Sequence, residues 1–233
     1  MKRNATHSFV HTQTVESFQD FVETPFQGNI NAIAWKRTLD GDFAEIVQKL
    51  DVKENIKEIS EQELYALQLS EQGQIARDTI TNDLLLLKEH GASPVLNVIH
   101  YYERDEDFPL LPTDVYSFHV DRSPIPTETI LCTYHGAASE IVPNEQATQK
   151  ILIPSIKEEL KKFHQGTEET FDSFCQEFFF DLHYQAHENA EIMNLGLGNI
   201  WKLAVDHPTS QVLPCLHRAP KEIEGEKRLL LIC

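Results

Sequence analysis

The spacing of apolar positions changes twice along the chain. From residue 42 to 50, Phe43, Ile46, Val47 and Leu50 recur at three- and four-residue intervals, which predicts an amphipathic helix. A longer helical zone runs from about residue 60 to 90, where Ala76, Ile80, Leu84 and Leu87 form one stripe. Gly91 stands where a helix C-terminal glycine would. Ahead of these, "INAIAWKR" (residues 30–37) alternates as a strand does. Residues 1–28, polar with scattered Phe, read as a loosely organised arm. After Gly91 the texture becomes β-rich in "SPVLNVIHYY", "DVYSFHV" and "TETILCTYHG", with Pro and Gly between the runs. A helical insert over about residues 154–187 follows, and "GNIWKLAVD", "SQVLPCLHR" and "EKRLLLIC" return to strands.

Short strands separated by turns, with helices before and within them, predict an α+β chain. The expected architecture is a double-stranded β-helix core (jelly-roll or cupin-like) over residues 93–233, interrupted by the insert. A helical layer over 29–92 packs on its outside, and 29–233 forms a single domain.

Composition adjusts this picture in three ways. The 233 residues are 41% hydrophobic, enough for one sizeable core. Lys and Arg total 20 against 37 Asp and Glu, a formal net charge of -17, which disfavours nucleic acid and anionic membrane as partners. No apolar run follows the early positive charges as a secretory signal would require, and the longest, residues 84–87, is far too short to span a bilayer. Four cysteines without CxxC spacing fit idle thiols, so a cytoplasmic location is the expectation.

"YSFHVDRS" carries the chemistry. On a strand, His119 and Asp121 share one face while Phe118 and Val120 take the other. Non-haem Fe(II) oxygenases hold their metal with two histidines and one carboxylate, the first two ligands in an H-x-D/E pair and the last a distant His. His217, 98 residues beyond His119 in "CLHRAP", is the candidate third ligand. Arg228 lies 11 residues further on, where 2-oxoglutarate-dependent members carry a basic residue for the distal carboxylate of the co-substrate. Tyr134 and Thr133 are candidates for hydroxyl contacts to that co-substrate, Arg218 for an anionic ligand, and Asn97 for the cavity wall. Each has a plainer role: packing, bracing a turn, or a strand hydrogen bond. Arg122 reads as a surface charge.

The chain resembles the bacterial family catalogued as domain of unknown function 1826. The residues concerned are "NAIAWKR", "FHVDRSPIPTETILCTYHGAASE", "GLGNIWKLA", "LHRAP" and "RLLLIC", in that order from about residue 29 to the end. The family has no settled activity, so the resemblance implies a shared architecture around H-x-D…H and brings no substrate; the link to iron oxygenases is by analogy.

Two other clusters compete. "HYQAH" places His183 and His187 four apart, as on a helix face, but lacks the Glu of a zinc-protease motif and reads as an exposed helix end or loop. Cys215, two before His217, offers a thiolate that with His119 would favour zinc. The leading expectation is an Fe(II)- and 2-oxoglutarate-dependent oxygenase acting on an unknown substrate. Its rivals are a cupin-like metalloenzyme that does without 2-oxoglutarate, and a non-catalytic metal- or partner-binding module.

Overall fold

The computed structural model describes residues 11–233. Residues 1–10, where the expected arm opens and where no secretory signal was expected, lie outside the described part. The first half runs β1 (Thr12–Val15), α1 (Phe18–Glu23), β2 (Ala32–Trp35), α2 (Phe43–Lys49), β3 (Ile56–Glu58), α3 (Glu61–Ala66), α4 (Glu71–Glu89) and β4 (Val95–Ile99). It continues with β5 (Phe118–His119), β6 (Glu128–His135), β7 (Glu140–Val142), β8 (Ala147–Gln149), α5 (Pro154–His164) and α6 (Glu168–Glu177). The chain ends with β9 (His183–Ala186), β10 (Met193–Asn194), β11 (Ile200–Ala204), β12 (Leu216–Arg218) and β13 (Arg228–Ile232).

The mixed α+β character is as expected. The strands form two antiparallel-rich sheets, a large one in the order β1-β2-β11-β6-β13-β4-β3 and a small one in the order β10-β7-β12-β5-β9-β8. Alternation gives the large sheet two apolar faces. Ile33, Val98, Ile130, Cys132, Leu229 and Leu231 pack outward against Ile46, Leu64, Ile80, Leu84 and Leu87 of the helices. Ala32, Ala34, Leu131, Trp201, Leu203 and Leu230 face inward and meet Ile141 and Cys215 from the small-sheet side. Among the described residues no helix is long and apolar enough to cross a membrane.

Local chemistry explains where elements begin. Asp42 caps α2 by accepting from the Glu45 amide, and Ser70 caps α4 by accepting from Gly73. Ser60 and Glu63 form a capping box on α3. The predicted single helical zone is therefore two helices, because the Ser70 cap starts a new one. The predicted arm is also partly built in. β1 pairs in parallel with β2, and Phe21 of α1 is fully buried. The insert does not end as a helix: "HYQA" is β9, paired with β5 on one side and β8 on the other. His183 and His187 accordingly share no helix face.

The expected co-substrate role of Tyr134 is overturned by its parity on β6. Its side chain points to the outer face, stacks on Phe43 at 5.4 Å, and donates to Asp83 Oδ2 at 2.6 Å. Asp83, wholly buried on α4, also receives the Arg37 guanidinium, with Nη1 to Oδ1 at 2.6 Å. Arg37 Nε reaches the Gly198 carbonyl at 2.6 Å, so one ion pair ties the β2 exit, α4 and the β11 approach together. Removing one partner strands the other charge in the interior. Asp83→Ala should lower unfolding free energy by about 3–5 kcal/mol, read from urea denaturation.

Candidate metal centre

The small sheet is polar on its inner face. Phe118, Val120, Val142 and Leu216 form an apolar cluster on the far side, which turns His119, Asp121 and His217 toward the large sheet. His217 lies directly opposite His119 across β12 and β5, with ring centroids 4.4 Å apart. Asp121 follows just beyond β5, its backbone carbonyl accepting from Asp206 N at 2.8 Å. One donor atom from each of the three comes within 4.8 Å of the others.

The gaps between these donors are informative. His119 Nε2 is 3.9 Å from Asp121 Oδ1 and His217 Nε2 is 3.6 Å from Oδ2, too long for hydrogen bonds. Ligands at about 2.1 Å from a shared ion stand roughly 3–4 Å apart, so the spacing fits a cation between them. Each imidazole is oriented by its own strand. His119 Nδ1 lies 2.8 Å from the Ser117 carbonyl and His217 Nδ1 3.3 Å from that of Cys215. A carbonyl only accepts, so each Nδ1 carries the proton and each Nε2 keeps a lone pair for a metal. Thr129, from the inner face of β6, donates its hydroxyl to Asp121. Cys215 is buried and is not among the donors that converge within 4.8 Å.

Arg228 reaches the same interior from β13. It is 7% exposed and pairs with no carboxylate among the described residues; Nη2 donates to Ser139 Oγ at 2.7 Å and Thr133 Oγ1 at 3.0 Å, and Nε has no partner. A register shift between Leu229 and Leu230 interrupts the β13–β6 ladder beside it. Gly136, at φ +81, leaves room for this strand, since a Cβ there would sit 2.7 Å from the Lys227 carbonyl. Thr133 thus orients the guanidinium while keeping its own hydroxyl proton to donate. Asn97, opposite Leu230, shares the inner face and is half-buried.

Arg218 does not approach the centre. It alternates to the outer face, pairs with Glu140 at 2.7 Å and lies over the Phe118 ring. Arg122, on its side of the chain, bridges Asp181 and Asp206 at 2.6 and 2.8 Å.

His183 is the residue that sequence reasoning misplaced. β9 sets it directly opposite His119, with ring centroids 5.7 Å apart. It is buried, and its Nδ1 has no hydrogen-bond partner, an arrangement that costs about 1–3 kcal/mol until something fills it. The alternation in "HYQA" was the available signal, overshadowed by the four-residue His spacing. His119, Asp121 and His183 line a surface cleft of about 340 Å³.

No family model, curated protein or solved structure matches the chain. The chemistry of the site rests on its own geometry.

His119→Ala and His217→Ala should each abolish stoichiometric uptake of Co(II) or Fe(II), measured by metal analysis after desalting, with the circular dichroism spectrum retained. Acid should destabilise the metal-free protein. Burial, then the neighbouring His217, pushes His119 down to about 4, and burial, then His119, pushes His183 down to about 3. Both folded values lie below the unfolded value near 6.5, so the stability from keeping these rings neutral is present above pH 6.5 and lost as pH falls toward 4 and 3. Each imidazole should cost roughly 1.4 kcal/mol per pH unit in that window. His183→Phe should flatten the decline, read from urea midpoints at pH 7, 6 and 5.

Proposed function

We propose that the protein is an Fe(II)-dependent oxygenase of the double-stranded β-helix type, with 2-oxoglutarate as co-substrate and an unidentified substrate. The observation that carries this reading is Arg228, a buried cation with no carboxylate partner among the described residues, on the inner face of the large sheet, with a convergent His, Asp and His on the inner face of the small one. A guanidinium in that setting calls for an anion, and a dicarboxylate that also reaches the metal supplies one.

The strand order supports the finer fold. Taking β4, β5, β6, β7, β10, β11, β12 and β13 as strands one to eight, the large sheet reads 6-3-8-1 and the small sheet 5-4-7-2. Successive strands alternate between the sheets, except that four and five are neighbours in the small one, which is the pattern of a jelly roll. β1, β2 and β3 extend the large sheet, and β8 and β9 extend the small one.

In this reading His119 and His217 offer Nε2 lone pairs and Asp121 offers a compensating negative charge. When bound, iron and 2-oxoglutarate supply the oxidising power for a C–H bond. The chain's own work is positional. Thr129 fixes one Asp121 oxygen, Ser139 and Thr133 aim Arg228, and the apolar wall of Leu131, Trp201 and Leu230 limits water. A cytoplasmic setting suits this chemistry, and the acidic surface suits a substrate that is not nucleic acid.

Anaerobic titration of 2-oxoglutarate into Fe(II)-loaded protein should raise a weak visible charge-transfer band. Arg228→Gln should weaken that titration by about 100-fold, the loss of a charge-assisted bond of about 3 kcal/mol, while Fe(II) uptake is retained. Tight metal binding without any band would replace this reading with a metalloenzyme or binding module that has no use for 2-oxoglutarate.

A further inference from the structure

The row of imidazoles extends past the two proposed ligands. His217, His119 and His183 are directly opposed on β12, β5 and β9, so all three leave the same face of three adjacent strands. The third differs from the other two in distance. His183 falls outside the set of donors that lie within 4.8 Å of one another, and its ring is 5.7 Å from His119 where His217 is 4.4 Å away.

Donors about 2.1 Å from one ion lie at most about 4.2 Å apart, so a residue outside that 4.8 Å set does not share the ion and suits a group that the ion holds. A metal–ligand bond of about 2.1 Å followed by a hydrogen bond of about 2.9 Å spans roughly 5 Å. His183 is 4% exposed, its Nδ1 has no partner, and it lines the cleft with His119 and Asp121. His119 and His217 spend their Nδ1 protons on backbone carbonyls, so their orientation is settled within the fold. His183 has no such anchor: its Nδ1 is enclosed and unpartnered, on a ring that neighbours His119.

We propose that His183 is a positioning residue that hydrogen-bonds a small anionic ligand coordinated to the cation, such as a carboxylate oxygen. The inference rests on the metal reading of His119, Asp121 and His217. It is independent of 2-oxoglutarate, because any coordinated anion of that size is served. His183 then selects, among groups able to reach the metal from the cleft, those that accept or share a hydrogen bond on its side.

The test uses Co(II)-loaded protein and azide, a small monodentate anion, followed through the visible Co(II) bands. His183→Phe, which keeps the ring volume, should weaken azide about tenfold with Co(II) affinity within twofold of the parent. His183→Gln, which restores a hydrogen-bonding group, should recover part of the loss; this comparison also carries the test if the Phe variant does not fold. Unchanged azide affinity in both variants would overturn the proposal. A tenfold or greater loss of Co(II) affinity would overturn it too, by making His183 a direct ligand. If the parent protein takes up no Co(II), the metal reading itself fails, which is distinguishable because no variant is then needed.

Discussion

Everything at the centre depends on the pairing register of one very short strand. β5 contributes two residues, and its hold on β12 is the single opposed pair His119 and His217. A slip of one position in β5 would send His119 and Asp121 to the far side, away from His217, and bring Phe118 into the interior. The apolar cluster of Phe118, Val120, Val142 and Leu216 resists that slip, because it gives the small sheet a second face that wants to stay out of water and away from the metal donors. Hydrophobic burial on one side thus fixes where polar chemistry sits on the other.

The large sheet shows the complementary arrangement. Its outer face is closed by α2 and α4, with the Arg37–Asp83–Tyr134 cluster as a charged feature within that layer. Its inner face is apolar along the middle and polar at Thr129, which reaches Asp121, and at Thr133 and Arg228, which pair with one another. Two kinds of buried polar group result. One is internally satisfied and holds layers together; the other retains unused capacity.

Much of this was legible in the sequence. Period-two spacing placed His119 and Asp121 on one face, and the strand texture around His217 and Arg228 placed them on separate strands. What alternation alone cannot give is which face is the inner one. Tyr134 and Thr133 are adjacent on β6, and their opposite fates depend on which side the helices cover. Arg218 and His217 diverge for the same reason. His183 was lost because its partner strand is fixed by a long-range pairing with β5, and local spacing pointed to a helix. The arm was misjudged because the burial of Phe21 comes from tertiary contact that a polar local composition hides.

The return of the helical insert as β9 has a consequence for assembly of the molecule. β5 is flanked by β12, which arrives near the end of the chain, and by β9, which arrives only after α5 and α6. An unfolded or half-made chain therefore holds only His119 and Asp121 near one another, without His217 or His183. Closure of two distant segments must precede a complete set of donors. On the proposed metal reading, an ion would meet its full set of donors only after these closures, and would not template them.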